Sequence, residues 1–359
     1  MLFDAFTLGK VTLRNRLVMA PMTRNRATAD HVPTEIMATY YAQRASIGLI
    51  ISEGTAPSAD GAGYARIPGL YSDTQVAAWK AVTDAVHAAG GHIFAQLMHT
   101  GRASHVDNLP TGARVVSSSA TSLPDPVYTD TQALQPASPP HALTEAEVAV
   151  VVAEYADSAR RAIAAGFDGI ELHGANGYLI DQFLNGNLNT RTDSYGGSAE
   201  HRNRFAIEVA KATADAIGAD RVGFRISPHG GFNAMGSFDG DDAQFVALAS
   251  ALGKLGLVYL HLVNHESMGN PPLPVALPGQ LKDAFGGTFI ASGGLDAEKG
   301  EALLQSGAAD LIAFGRAALA TPDLAERLAS AAPLNAPDFG TFYTPGEQGY
   351  TDYPALAAI

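Results

Sequence analysis

Short apolar runs of four or five residues recur through this chain, separated by stretches carrying the 3.6-residue period of helices, and no other feature restricts the fold so strongly. The runs fall at residues 16–20, 48–51, 92–95, 169–172, 221–224, 258–262, 288–291 and 310–314. Helical patterns lie between them, at 34–45, 200–217 and 242–254 among others. Two helices announce their starts with capping boxes, Ser72 with Gln75 and Thr144 with Glu147. Val76, Trp79, Val82 and Val86 then mark one buried face until Gly90-Gly91 breaks it. Apolar strands alternating with helices pair in parallel, because each crossover returns the chain to the same end of the sheet.

Eight such units predict a (β/α)8 TIM barrel, an α/β fold needing roughly 250 residues. The 359 residues leave room for additions to one domain spanning 1–359. An N-terminal hairpin over residues 1–15 turns at Gly9-Lys10. A Ser-, Thr- and Pro-rich insertion after the third strand, about 104–143, is too long for a simple connection and is expected to be functional or disordered.

Charge and composition narrow the partner. With 23 Lys and Arg against 36 Asp and Glu, the formal charge of −13 argues against nucleic acid or an anionic membrane surface. A small molecule is the default. The absence of cysteine excludes a thiolate metal site, an iron–sulfur cluster and a cysteine nucleophile. No apolar stretch reaches the length of a membrane span, and the N-terminus lacks a basic region followed by an apolar run, so a cytoplasmic setting is expected. A monomer or a dimer is expected.

The residues that follow the strands carry the chemistry. Pro21, Met22 and Thr23 follow the first, Gly54 the second, Gln96 the third, His173 with Asn176 and Tyr178 the fourth, Arg225 the fifth, His265 the sixth, Gly293-Gly294 the seventh and Gly315-Arg316 the eighth. Active sites of such barrels lie on that face. Gln96 and Arg225 abut apolar runs, where an unpaired polar group is costly, so each needs a partner. The glycine turns at the last two strands leave N–H groups free beside a cation, which suits a phosphate. A guanidinium and an amide can meet the edge of an isoalloxazine ring. Other readings stay open: Arg225 could pair with Glu53, His173 could bond a loop, and Tyr178 and Met98 could simply be core. If the turn after the fourth strand is regular, His173 and Asn176, three apart, face one point.

The runs Ala20-Pro21-Met22-Thr23-Arg24, Gln96-Leu97-Met98-His99-Thr100-Gly101-Arg102, His173-Gly174-Ala175-Asn176-Gly177-Tyr178-Leu179, Thr190 to Gly197 and Phe314-Gly315-Arg316 resemble the Old Yellow Enzyme family, in its classical branch. The likeness spans nearly the whole chain. It implies a barrel holding FMN non-covalently, reduced by NADPH or NADH, that passes hydride to activated alkenes such as enals, enones, maleimides and nitroalkenes, and also reduces nitro compounds or nitrate esters. It implies that Thr23, Gln96 and Arg225 meet the flavin ring and that Gly294, Gly315 and Arg316 hold the phosphate. His173 and Asn176 would anchor the substrate's oxygen, and Tyr178 would deliver the proton. Tyr64, Met98 and Tyr350 are expected as pocket walls, Met98 standing where many relatives have tryptophan. No complete Gly-x-Gly-x-x-Gly follows a strand, so the nicotinamide is expected to share the substrate pocket. Two rivals keep the barrel: a flavin-binding protein without catalysis, and a metal-dependent hydrolase using His92, His99, His173, His229, His261 or His265. The second lacks any paired-histidine ligand spacing.

Overall fold

The computed structural model describes residues 1–356, and its centre is a closed barrel of eight parallel strands. The chain enters through an antiparallel hairpin, β1 (Phe6–Leu8) and β2 (Val11–Leu13), turned by Gly9 at φ +56°. Leu8 and Leu13 pack beside Val258 and Tyr259, closing the amino-terminal end of the barrel.

The first barrel strands are β3 (Leu17–Met19), β4 (Leu49–Ile51) and β5 (Ile93–Leu97), separated by α1 (Glu35–Ala42) and α2 (Asp73–Ala88). The insertion then forms β6 (Val116–Ser117), β7 (Pro126–Thr129), β8 (Ala133–Pro136) and β9 (His141–Ala142). β7 and β8 make an antiparallel hairpin and β6 pairs in parallel with β9, so this segment has secondary structure of its own. Next come α3 (Glu145–Ala164), β10 (Gly169–Gly174), α4 (Leu179–Leu184), α5 (Ala199–Ile217), β11 (Val222–Ile226), α6 (Asp241–Lys254) and β12 (Tyr259–Val263). α7 (Leu277–Phe285), β13 (Thr288–Ser292), α8 (Ala297–Gln305), β14 (Leu311–Phe314), α9 (Arg316–Ala320) and α10 (Leu324–Ser330) complete the series. β14 pairs with β3, Phe314 opposite Met19, and closes the barrel. Among the described residues no helix is long and apolar enough to cross a membrane.

Both predicted capping boxes form. Ser72 accepts from the Gln75 N–H while the Gln75 amide oxygen accepts from the Ser72 N–H, and Thr144 and Glu147 do the same. Each such cap contributes about 1 kcal/mol to its helix. Trp79, Val82 and Val86 are buried as their spacing requires, and the Trp79 indole N–H donates to the Gly69 carbonyl at 3.1 Å.

Alternation along the strands sorts side chains between two environments. Ile170, Leu172, Val222, Phe224 and Leu260 join the outer core under the helices, whereas Val18, Leu49, Ile51, Phe94, Tyr259, Ile290 and Leu311 fill the lower barrel. On β10 and β11 the corresponding places are Gly169 and Gly223, because a Cβ there would lie 2.6 Å from the Phe94 ring and 2.1 Å from the Tyr259 ring. Two residues further along five of these strands stand Gln96, Glu171, Arg225, His261 and Ser292. The same alternation that fills the bottom with rings therefore makes the next layer polar.

Candidate active site

That polar layer is the floor of the site. The Glu171 carboxylate accepts from the Gln96 amide N–H at 2.8 Å and from His261 Nδ1 at 2.8 Å, and His261 Nε2 lies 3.0 Å from Ser292 Oγ. Burial opposes ionisation of Glu171, but His261, Arg225 and Gln96 outweigh it and hold the carboxyl below its usual range. His261, a candidate metal ligand from sequence, is committed to this network.

Arg225 behaves differently. It is 6% exposed, yet its guanidinium bonds to no described residue and its Nε is buried without a partner. The alternative pairing with Glu53 is not made. Glu53 instead accepts from the Tyr41 hydroxyl at 3.2 Å and the Arg24 N–H at 3.4 Å, and burial pushes its pKa up to about 7. A buried guanidinium without acceptors points to a ligand, since leaving it unmet is costly.

Above the floor opens a cavity of about 640 Å³, within the range of roughly 300–1,000 Å³ usual for cofactor and small-molecule sites. Pro21, Met22, Thr23, Gln96, Met98 and Arg225 line it together with Gly293, Gly294, Gly315 and Arg316. Gly293 sits at φ +122°, and a Cβ there would lie 2.2 Å from the Asn264 carbonyl oxygen. The N–H groups of Gly293, Gly294 and Gly315 bond to no described residue. The Arg316 guanidinium makes no ion pair among the described residues and lies over the Phe339 ring at 5.6 Å. An orphaned cation and an amide carried on β11 and β5, with free N–H groups and a second cation just past β13 and β14, fit the ring and phosphate of FMN.

His173, Asn176 and Tyr178 line the same cavity. The expected regular turn is not how they converge: Asn176 is left-handed at φ +59°, and α4 begins only at Leu179. The turn is pinned by the Asn176 N–H to Ser227 Oγ at 2.8 Å, by Asn233 Nδ2 to the Asn176 carbonyl at 2.9 Å, and by the Gly177 N–H to Asp181 at 2.8 Å. The His173 ring meets Tyr178 edge-on at 4.9 Å. Burial, with Arg225 next in importance, holds the His173 pKa well below its ordinary value. Burial and Tyr64 raise the Tyr178 hydroxyl well above its own. His173 is thus neutral with one N–H to give, and Tyr178 keeps its proton.

Three expected site residues lie elsewhere. Tyr350 is fully buried, stacked on Tyr40 at 4.0 Å, because Arg24 and Arg26 bond the tail carbonyls of Gly349 and Thr341 and draw the tail against the barrel. Gly54 is not on the cavity wall; its missing Cβ makes room for Met98, whose Sδ would otherwise be 2.4 Å away. Tyr64 stands behind Tyr178, ring edge to face at 5.9 Å, and does not line the cavity. The sequence reading missed Phe232, Ser267 and Met268 from two strand-end loops and Phe339, Phe342 and Tyr343 from the tail, all on the wall. No periodicity marks them.

The family model of the NADH:flavin oxidoreductase / NADH oxidase family matches residues 1–335. The chain is 45% identical over 364 residues to the chanoclavine-I aldehyde reductase fgaOx3 of Penicillium roqueforti, covering 98% of this chain and 95% of that one. It is 43% identical over 353 residues to a probable flavin mononucleotide-dependent alkene reductase of Leishmania infantum, covering 97% and 96%. The solved structure of the old yellow enzyme homologue from Zymomonas mobilis superposes with a TM-score of 0.95 at 40% identity, covering 99% of each chain. A closed parallel barrel, a cavity fitted to FMN and likeness along its whole length lead to one conclusion: the chain belongs to the Old Yellow Enzyme family, FMN-dependent enzymes that use a reduced nicotinamide to reduce the double bond of activated alkenes.

Proposed function

We propose that this chain reduces alkenes conjugated to a carbonyl or nitro group, with His173 and Asn176 holding the activating oxygen and Tyr178 supplying the proton. FMN held in this cavity would supply the hydride for the β-carbon, with NADPH or NADH as its source. The observation that carries the reading is the trio itself: a neutral imidazole, an amide and a protonated phenol lining one cavity.

Charge grows on the substrate's oxygen as the β-carbon gains hydride, so donors fixed beforehand stabilise the transition state more than the ground state. His173 and Asn176 offer two such donors without a charge of their own. Tyr178 holds a proton for the α-carbon, and burial keeps it there at neutral pH. Thr23, Gln96 and Arg225 would hold the ring of FMN, and Gly293, Gly294, Gly315 and Arg316 its phosphate. Nitro compounds and nitrate esters suit the same pair of donors. The acidic balance weighs against nucleic acid as a partner.

Replacing Tyr178 with Phe tests the reading directly. Oxidation of the reduced holoenzyme by cyclohexenone should slow by about 10²–10⁴-fold, while reduction by NADPH and FMN content stay near the parent's. A rate of alkene reduction within a few-fold of the parent's would remove Tyr178 from the proton-donor role.

A further inference from the structure

We infer that His265, outside the cavity, is a positioning residue that fixes which end of the Asn176 amide faces the substrate. The inference rests on the reading of Asn176 as a donor to the substrate's oxygen. Asn176 can serve that reading in only one orientation, with Nδ2 toward the cavity. The two ends of an amide have nearly the same shape, so hydrogen bonding alone selects between them.

His265 makes the selection. Its Nε2 lies 2.8 Å from Asn176 Oδ1, and no other side-chain contact to that oxygen occurs among the described residues. The ring is 3% exposed, and its Nδ1 is buried without a partner. Burial, with Arg225 second, lowers its pKa to about 4, so at neutral pH it carries one proton. On Nε2 that proton is donated to Asn176 Oδ1, and the orphan is a lone pair at Nδ1. On Nδ1 the orphan would be a buried N–H, the rarer and costlier defect. The first arrangement prevails and turns Nδ2 of Asn176, which meets no acceptor among the described residues, into the cavity.

The surroundings keep the imidazole in place. Gly230 has no Cβ where one would lie 2.6 Å from His265 Nδ1. Asn270 closes the other side: its N–H donates to the His265 carbonyl at 3.3 Å, and its Oδ1 accepts from the Gly231 N–H at 2.9 Å. The Asn176 backbone is tied at its N–H and carbonyl to Ser227 and Asn233, which fixes where its side chain starts.

The test uses the FMN-loaded protein and 4-chlorophenol, a ligand that is not turned over, whose phenolate oxygen needs the same donors and whose ring stacked on the flavin gives a long-wavelength absorption band. Dissociation constants from that band are compared for the parent, Asn176→Ala, His265→Leu, His265→Gln and the Asn176→Ala/His265→Leu double variant. His265→Leu should weaken binding about tenfold, the order expected for one misplaced hydrogen bond. His265→Gln, whose amide N–H can occupy the place of Nε2, should recover most of it. The double variant should bind no worse than Asn176→Ala alone. Should His265→Leu fail to hold FMN, His265→Asn, one methylene too short to reach Asn176, replaces it. Parent-like binding by His265→Leu while Asn176→Ala binds weakly would overturn the inference, as would losses that multiply in the double variant. If Asn176→Ala itself binds like the parent, the donor reading of Asn176 falls, and this inference with it.

Discussion

Arg225 is the residue whose replacement should report most directly on cofactor binding. A guanidinium has five N–H donors, and in this structure none reaches a described acceptor, although the residue is 6% exposed. Arg225→Met keeps the apolar stem and removes the donors and the charge. Each hydrogen bond to a charged group contributes about 1.5–3 kcal/mol, so losing two costs about 3–6 kcal/mol. At about 1.4 kcal/mol per tenfold, the FMN dissociation constant should rise by about two to four powers of ten. Glu171 keeps its bonds to Gln96 and His261, so the apoprotein should still fold. The assay is the FMN-dependent rise in thermal stability. With free FMN at about 1,000 times the parent's dissociation constant, the parent gains about 4.1 kcal/mol, and a variant weakened 100-fold gains about 1.4 kcal/mol. Arg225→Lys should fall between, keeping charge but losing the fork. If Arg225→Met kept the parent's FMN affinity and stabilisation, the unmet guanidinium would not be a cofactor ligand.

Met98→Trp should reduce bulky enones much more slowly than small ones and cost about 1–3 kcal/mol of stability, because Met98 is 1% exposed and already occupies the space left by Gly54; equal loss of kcat/KM for both substrate sizes would show that Met98 is no wall. Asp181 accepts the Gly177 N–H that shapes the Asn176 turn, and burial pushes its pKa from 3.8 up to about 7. The folded protein therefore binds more protons than the unfolded chain between about pH 4 and 7, and stability is lost as pH rises through that window, by up to about 4 kcal/mol from this group. Chemical denaturation across pH 4–8 should show a shallower decline for Asp181→Asn; parallel curves would mean that Asp181 ionises normally.

The barrel is legible in the sequence, because a strand buried on both faces must be apolar and a crossover helix must show a period of 3.6, and both patterns are local. Gln96, Arg225, His173 and Gly315 were legible for the same reason, each directly following an apolar run, and Asn176 and Gly293-Gly294 lie within four residues of one, on the face where such barrels bind ligands. Contacts between distant pieces of the chain are not legible in the sequence. Tyr350 reads like a pocket residue, yet buried arginines from the first strand's loop bond the tail carbonyls and stack it against Tyr40, leaving Phe342 and Tyr343 at the cavity. Gly54 reads like a cofactor contact, and only the packed Met98 side chain shows why it has no Cβ. His265 and Asn176 are 89 residues apart, and nothing local to either announces the hydrogen bond between them. Strand patterns are written residue by residue, whereas such contacts exist only once barrel closure brings the loops of separate strands to one end.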